Sequence, residues 1–344
     1  MAKKIKGKDL LTIGYAQGRV IGIALNLMAK HYKKETKAAK LTLLTELLSN
    51  PLKYNNHEQL NSLAQAIIEA QMPEENPEIP LKKMAIPYKV YGKEHIEKGA
   101  LTQMNVAMKL PITLAGALMP DAHQGYGLPI GGVLAVNNAV IPYAVGVDIG
   151  CRMCLSIFNM PVSYLKGHHA QFKRDIVKHT RFGMGCEFET PIDDPIFNRN
   201  EFEDIDIVKQ LKAKAYRQIG TSGGGNHFVE YGIVAITDPN NEFNLSTGTY
   251  MGILSHSGSR GLGATIAQKY TQIAMNTCKL PKEAKHLAWL NLDTEAGQAY
   301  WAAMNLAGDY AAACHHQIHK RLAKAMGEKP IAVVENHHNF AWKE

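Results

Sequence analysis

The sequence predicts an α+β fold, a mixed sheet-and-helix core preceded by an N-terminal helical region. Three observations predict it. Apolar residues recur at helical spacing through residues 1–75, and short β-rich runs beside glycine clusters dominate thereafter. The two textures also mix without the regular strand–helix alternation of a doubly wound parallel sheet. In the helical region the spacing is carried by Leu10, Leu11 and Ile13, by Val20, Ile23, Ala24 and Leu27, and by Leu60, Leu63, Ala64, Ile67 and Ile68. Asn50-Pro51 breaks it. Met72 to Pro80, with three prolines and three glutamates, reads as a linker. Residues 76–344 then form the core. Its expected strands include Gly132–Val136, Val229–Ile236 and Met251–His256, and its main expected helices run over 260–277 and 294–326. No fixed-period repeat is present.

Composition narrows the function classes. The 344 residues are 46% hydrophobic and 20% charged, as in an ordinary globular protein, and the net charge of +7 suits a polyanionic partner without specifying one. No run approaches the roughly 18–20 apolar residues of a membrane span. Lys3, Lys4 and Lys6 open the chain, but Asp9, Gln17 and Arg19 interrupt the apolar stretch behind them, so no secretory signal is expected. Five cysteines are an odd, sparse set for an extracellular framework, which points to a reducing cytoplasm.

The chemistry concentrates in four segments. In Ala144–Cys154 (AVGVDIGCRMC), Asp148 and Cys151 would face opposite ways in a regular strand, but Gly150 permits a kink that unites carboxylate and thiolate. A buried cysteine beside a turn aspartate, or a Cys151/Cys154 redox or zinc pair, is the plainer alternative, although no second Cys-x-x-Cys exists to complete a zinc site. In Gly220–Glu230 (GTSGGGNHFVE), the glycine run offers a backbone nest for phosphate, and Asn226 and His227 stand at its lip. In Ser255–Gly263 (SHSGSRGLG), a strand should end at His256 and a helix open near Arg260. That helix start is an anion site, or merely an N-cap made by Ser257 or Ser259. In Val333–Asn339 (VVENHHN), His337 and His338 point opposite ways, so only one can reach a shared site.

One aspartate, one cysteine and three histidines at loop–strand junctions form a transition-metal donor set. Five donors exceed the three of a single catalytic zinc, and a thiolate can bridge, so two cations are expected. His315 and His319 share helical i, i+4 spacing with Cys314 and His316 nearby, and are read as a polar helix face with no role. There is no P-loop and no G-x-G-x-x-G. Gly220–Gly224 fits the G-x-S-x-G nucleophile elbow in letters, but a strand-like run follows where the elbow needs a helix.

Met119–Gly132 (MPDAHQGYGLPIGG) resembles the opening signature of the RtcB family of RNA ligases. Val145–Cys151, Gly225–Phe228, His256–Gly261 and His337–Asn339 continue it in the family's order, over roughly residues 90–344. The resemblance implies joining of RNA ends bearing a 2′,3′-cyclic phosphate or 3′-phosphate to a 5′-hydroxyl, in tRNA splicing or RNA repair. It implies GTP and two Mn2+ ions, and a histidine that is guanylylated before the RNA 3′-phosphate. Carried over, Cys151 bridges both metals, Asp148 and His227 complete one shell, and His256 and His338 the other. Asn226, Phe228 and Glu230 would contact the nucleotide and Arg260 a phosphate, with Asp121 and His123 in the opening signature. Family chains continue past the His-Asn motif, whereas this one ends at Glu344. The catalytic core is therefore expected to be incomplete at its C-terminus, with no guanylylated histidine and no self-guanylylation. The expected partners are RNA (tRNA halves or broken ends) and GTP, with room for an activating protein and no membrane. A phosphodiesterase acting on cyclic phosphate ends, and a non-catalytic RNA- or nucleotide-binding remnant, are the rival functions.

Overall fold

A computed structural model describes residues 5–15, 19–71 and 77–344. The chain divides into two compact units, Met1–Pro77 and Glu78–Glu344. The first is helical: α1 (Gly7–Thr12), α2 (Arg19–His31), α3 (Lys37–Ser49) and α4 (Asn61–Gln71) enclose their own core of Leu10, Ala24, Met28, Leu44, Leu47, Leu63 and Ile67. Thr36 starts α3 by accepting the Ala39 N–H at 3.2 Å. Asn50-Pro51 ends it, and the proline opens a short 3-10 turn. Residues 72–76 of the expected linker lie outside the described residues. The boundary between the units, Pro77 to Glu78, falls inside the expected linker, and just after it the chain joins the second unit: the Ile79 N–H donates to the Lys279 carbonyl at 2.8 Å, and Ile79 packs on that unit's core, as does Leu81 beyond the stretch.

The second unit bears out the α+β expectation. β1 (Lys89–Val90), α5 (Lys98–Ala107), β2 (Thr113–His123) and β3 (Ile130–Val136) open it. They form a three-stranded sheet in which β1 runs parallel and β3 antiparallel to β2. β4 (Ala139–Val140), α6 (Pro142–Val145) and β5 (Arg152–Phe158) follow, then α7 (Val162–Gly167), α8 (His169–His179), α9 (Glu201–Asp204) and α10 (Asp206–Gln218). Next come β6 (Phe228–Ile236), β7 (Gly248–Ser257), α11 (Arg260–Thr277), β8 (Leu290–Asn291), which pairs with β4, α12 (Glu295–Met326) and β9 (Ala332–His337). The central feature is a four-stranded sheet in the order β6-β7-β5-β9, antiparallel throughout. Against it lies the 32-residue α12. Thr294 caps its start by accepting the Gly297 N–H, and Gly327 closes its end with φ 76. Tyr300, Met304, Leu306 and Tyr310 of α12 are fully buried in the main core.

Antiparallel pairing decides where the chemistry gathers. The starts of β5 and β6 and the ends of β7 and β9 must meet at one end of the sheet. Cys151 precedes β5, His227 precedes β6, His256 lies near the end of β7, and His338 follows β9.

Candidate metal centre

The turn into β5 is built by glycine. Gly150 has φ 70, and a Cβ there would lie 2.7 Å from the Gly308 Cα, so only glycine fits between this turn and α12. The Cys151 N–H closes the turn on the Asp148 carbonyl at 3.1 Å. Asn339 clamps it from β9's far end: the Gly150 N–H donates to its carbonyl at 2.8 Å, and its amide reaches the Asp148 carbonyl at 3.4 Å. Asp148 and Cys151 thereby point into one space, as the kink reading requires.

Five donor atoms converge there in a definite order. Asp148 Oδ2 lies 2.9 Å from His227 Nε2, and His227 Nε2 lies 3.4 Å from Cys151 Sγ. Cys151 Sγ lies 3.2 Å from His256 Nε2, which in turn lies 3.2 Å from His338 Nε2. Donors around a cation with bonds of about 2.0–2.3 Å stand roughly 2.8–3.3 Å apart in an octahedron and roughly 3.3–3.7 Å apart in a tetrahedron, so the spacing fits metal coordination. The sulfur sits in the middle of the series, where a bridging ligand belongs.

The cluster is not closed as a hydrogen-bond set. His256 Nδ1 donates to the Asn226 carbonyl at 2.9 Å, which leaves Nε2 with a lone pair aimed at the sulfur and at His338. His227 Nδ1 is buried without a hydrogen-bond partner, and the buried Asp148 Oδ2 faces His227 Nε2 at 2.9 Å. Burial pushes the Asp148 carboxyl upward, but His227, Cys151 and the Ser259 N–H outweigh it and hold it below the usual carboxylate range. Burial and then the Asp148 charge push the Cys151 thiol well above its ordinary value. Three imidazoles, a carboxylate and a soft sulfur converging in one place together fit borderline divalent cations.

The glycines do different work from that expected of them. The start of α11 already holds an anion: the Ser259 N–H donates to Asp148 Oδ1 at 3.1 Å, and the Gly261 N–H to the Gln218 side chain at 3.1 Å. Gly258 makes this possible, since a Cβ there would overlap the Asp148 carboxylate. Ser259 occupies the cap position but makes no side-chain cap bond. Likewise Gly223 lies under the His227 ring, which a Cβ would strike, so it serves ring packing rather than a phosphate nest; Gly224 and Gly225 are exposed. Sequence reasoning missed these two roles and the Asn339 clamp. The signal was present in glycine beside serine or histidine, but the partner is distant in the chain.

The remaining expected residues stand as follows. Asn226 is exposed and holds His256 through its backbone carbonyl. Phe228 pairs with His256 across the strands, ring centroids 5.9 Å apart, and Glu230 is exposed further along β6. Arg260 has φ 56, costly for a bulky residue, and its guanidinium is engaged by Thr221 Oγ1 at 3.0 Å, the Gly183 carbonyl at 2.8 Å and Cys186 Sγ at 3.4 Å. Asp121 and His123 are exposed on β2, in the other sheet, with no bond to the cluster. His338 reaches the cluster, whereas His337 packs on Phe340 and Trp342. Ser222 of the elbow-like motif is fully buried, out of reach of any substrate. All five cysteines are free.

The family model described as tRNA-splicing ligase RtcB matches residues 103–205 and 196–344. The chain is 31% identical over 276 residues to the tRNA-splicing ligase RtcB of Thermococcus kodakarensis, covering 67% of this chain and 57% of that protein. It is 28% identical over 256 residues to RNA-splicing ligase RtcB homolog 1 of Entamoeba dispar, covering 64% and 48%. Against the RNA-splicing ligase RtcB of Escherichia coli K12 it is 27% identical over 281 residues, covering 72% and 65%. The chain thus spans about half the length of the curated relatives it matches. With its family profile matched over residues 103–205 and 196–344, more than half of its length, this chain belongs to the RtcB family.

Proposed function

We propose that this chain carries the two-cation centre of an RNA ligase that joins 2′,3′-cyclic phosphate or 3′-phosphate ends to 5′-hydroxyl ends with GTP. The carrying observation is the series Asp148–His227–Cys151–His256–His338, with the sulfur 3.4 Å and 3.2 Å from the imidazoles on either side. Asp148 and His227 would hold one ion and His256 and His338 the other, with Cys151 a ligand available to both. Mn2+ is the proposed ion. Bound cations would neutralise phosphate charge and activate a coordinated oxygen for in-line displacement. The protein's part is to hold the donors: Asn226 fixes the His256 tautomer through its carbonyl, and the Ser259 N–H fixes the Asp148 carboxylate. Asn226, Phe228 and Glu230 are proposed nucleotide contacts, Arg260 a phosphate contact, and Asp121 and His123 contacts to the RNA end. The guanylyl-accepting role is assigned to none of the chain's histidines. Residues 1–75 are proposed as an accessory helical region. No helix among the described residues is long and apolar enough to cross a membrane, and a cytoplasmic site of action is part of the proposal.

Metal analysis after Mn2+ loading tests the centre. Two ions per chain are expected, none in Cys151→Ala, and one in His338→Ala. A wild-type chain without cations, or Cys151→Ala retaining both, overturns the reading. Joining of cyclic-phosphate and 5′-hydroxyl RNA ends with GTP and Mn2+ tests the activity. Opening of the cyclic phosphate without GTP would instead favour a phosphodiesterase.

A further inference from the structure

A second cysteine–histidine group lies behind the metal centre, between the sheet and α12. Cys154, His315 and His319 are all buried, with ligating atoms within 4.8 Å of one another. By composition they resemble another cation site. Their hydrogen bonds say otherwise. His315 Nε2 stands 3.1 Å from the Ser257 carbonyl, which can only accept, so Nε2 carries the proton and Nδ1 a lone pair. Nδ1 lies 2.5 Å from Ser255 Oγ, so the serine hydroxyl donates to it. Having given its proton, Ser255 Oγ accepts from His319 Nε2 at 2.7 Å. His319 Nδ1 is then the acceptor for Ser156 Oγ–H at 2.7 Å. Every ring nitrogen has a partner, and the protons all run one way, from Ser156 through His319, Ser255 and His315 to the Ser257 carbonyl. Cys154 Sγ stands 4.0 Å from a nitrogen that Ser156 already serves. Burial lowers the basicity of both imidazoles, to about 4 for His315 and about 3 for His319, which keeps the rings neutral as the chain requires.

The placement of this chain gives it a task. Ser255 and Ser257 flank His256 on β7, and alternation along a strand turns their side chains to the face opposite His256. We infer that His315 and His319 are positioning residues, gripping β7 at Ser255 and Ser257 so that His256 presents its Nε2 to the cation it shares with His338. This rests on reading the Cys151 cluster as a metal centre. Metal-binding histidines depend on such outer supports, whose loss typically lowers metal affinity by roughly 10- to 100-fold. His256 is then held from both sides, by the Asn226 carbonyl at its own ring and by α12 through its strand neighbours.

Titration with Co2+ tests the inference, because thiolate and imidazole ligation give separable absorption bands. In Ser255→Ala, one of the two ions should weaken by roughly 10- to 100-fold while the ion on Asp148 and His227 keeps its affinity. Ser255→Thr, which retains the hydroxyl, should restore the wild-type titration. A purely structural role would weaken both ions alike, and that result overturns the inference. Two ions of unchanged affinity in Ser255→Ala overturn it as well, while leaving the metal centre intact. A wild-type chain that binds no Co2+ overturns the metal centre and the positioning role together. If Ser255→Ala does not fold, long-range proton–nitrogen spectra of the wild-type chain decide. They must place the ring proton on Nε2 of both His315 and His319, and a proton on Nδ1 of either overturns the chain. A third bound cation, lost in Cys154→Ser, would make the cluster an ion site and also overturn it.

Discussion

Two groups of cysteine and histidine serve opposite faces of one sheet. Around Cys151, the His256 lone pair faces a sulfur and another imidazole, neither of which closes it with a carbonyl or hydroxyl, and His227 Nδ1 is buried without a hydrogen-bond partner. Around Cys154, every nitrogen of His315 and His319 meets a hydroxyl or a carbonyl in the right sense. Residue types hardly distinguish the two groups. Proton bookkeeping does: an open set of electron pairs is stabilised by a cation, and a closed donor–acceptor chain needs none.

The sharpest way to break this comparison is Gly258→Ala. The added methyl overlaps the Asp148 carboxylate, which the Ser259 N–H anchors at Oδ1 and His227 faces at Oδ2. Cation titration should show about a 100-fold loss, the upper end of what outer supports contribute, at the Asp148–His227 ion. Thermal unfolding should show an overpacking cost of about 1–3 kcal/mol. An unchanged titration would mean that Asp148 is not a ligand.

The closed chain makes a prediction about acid. His315 and His319 are less basic in the folded chain, at about 4 and about 3, than an ordinary histidine, so the unfolded chain binds more protons below the ordinary histidine pKa of about 6.5. Stability is therefore full above that value and falls with pH toward about 4, by up to about 1.4 kcal/mol per pH unit for each ring. Denaturant unfolding across this range should show the slope, and His319→Gln should reduce it. A slope identical in the variant would place the titration elsewhere.

Smaller effects test the boundary of each group. Cys154→Ser should change stability by about 1 kcal/mol and leave two cations per chain, since Cys154 Sγ has no lone pair committed to an ion. Loss of an ion would erase the distinction between the groups. In the N-terminal unit, Thr36→Ala removes the cap of α3 and should cost about 1 kcal/mol by thermal unfolding, with no change in cation count. A change there would tie the helical unit to the metal centre.

Much of the local structure was legible. The helices expected over 260–277 and 294–326 are Arg260–Thr277 and Glu295–Met326, because their apolar spacing and their Ser and Thr starts are local signals. The kink at Gly150 was legible for the same reason. The anion at the start of α11 was not: free N–H groups are predictable, but the carboxylate that fills them comes from 111 residues earlier. The polar helix face expected of His315 and His319 is also corrected. Both are buried, and only His316 on the neighbouring position is exposed.

Sequence by itself determined the donor inventory, the backbone freedom beside each donor, and the alternation that sends His256 one way and its serine neighbours the other. It also determined that His315 and His319 share a helix face. Which histidines would be open to a cation was decided only in three dimensions. The hydroxyls that close the second group arrive from strands 60 and 163 residues away, and only packing of α12 on the sheet brings them to the rings. Spacing along a chain fixes which way a side chain leaves the backbone; what meets it there is set by the elements that pack against it.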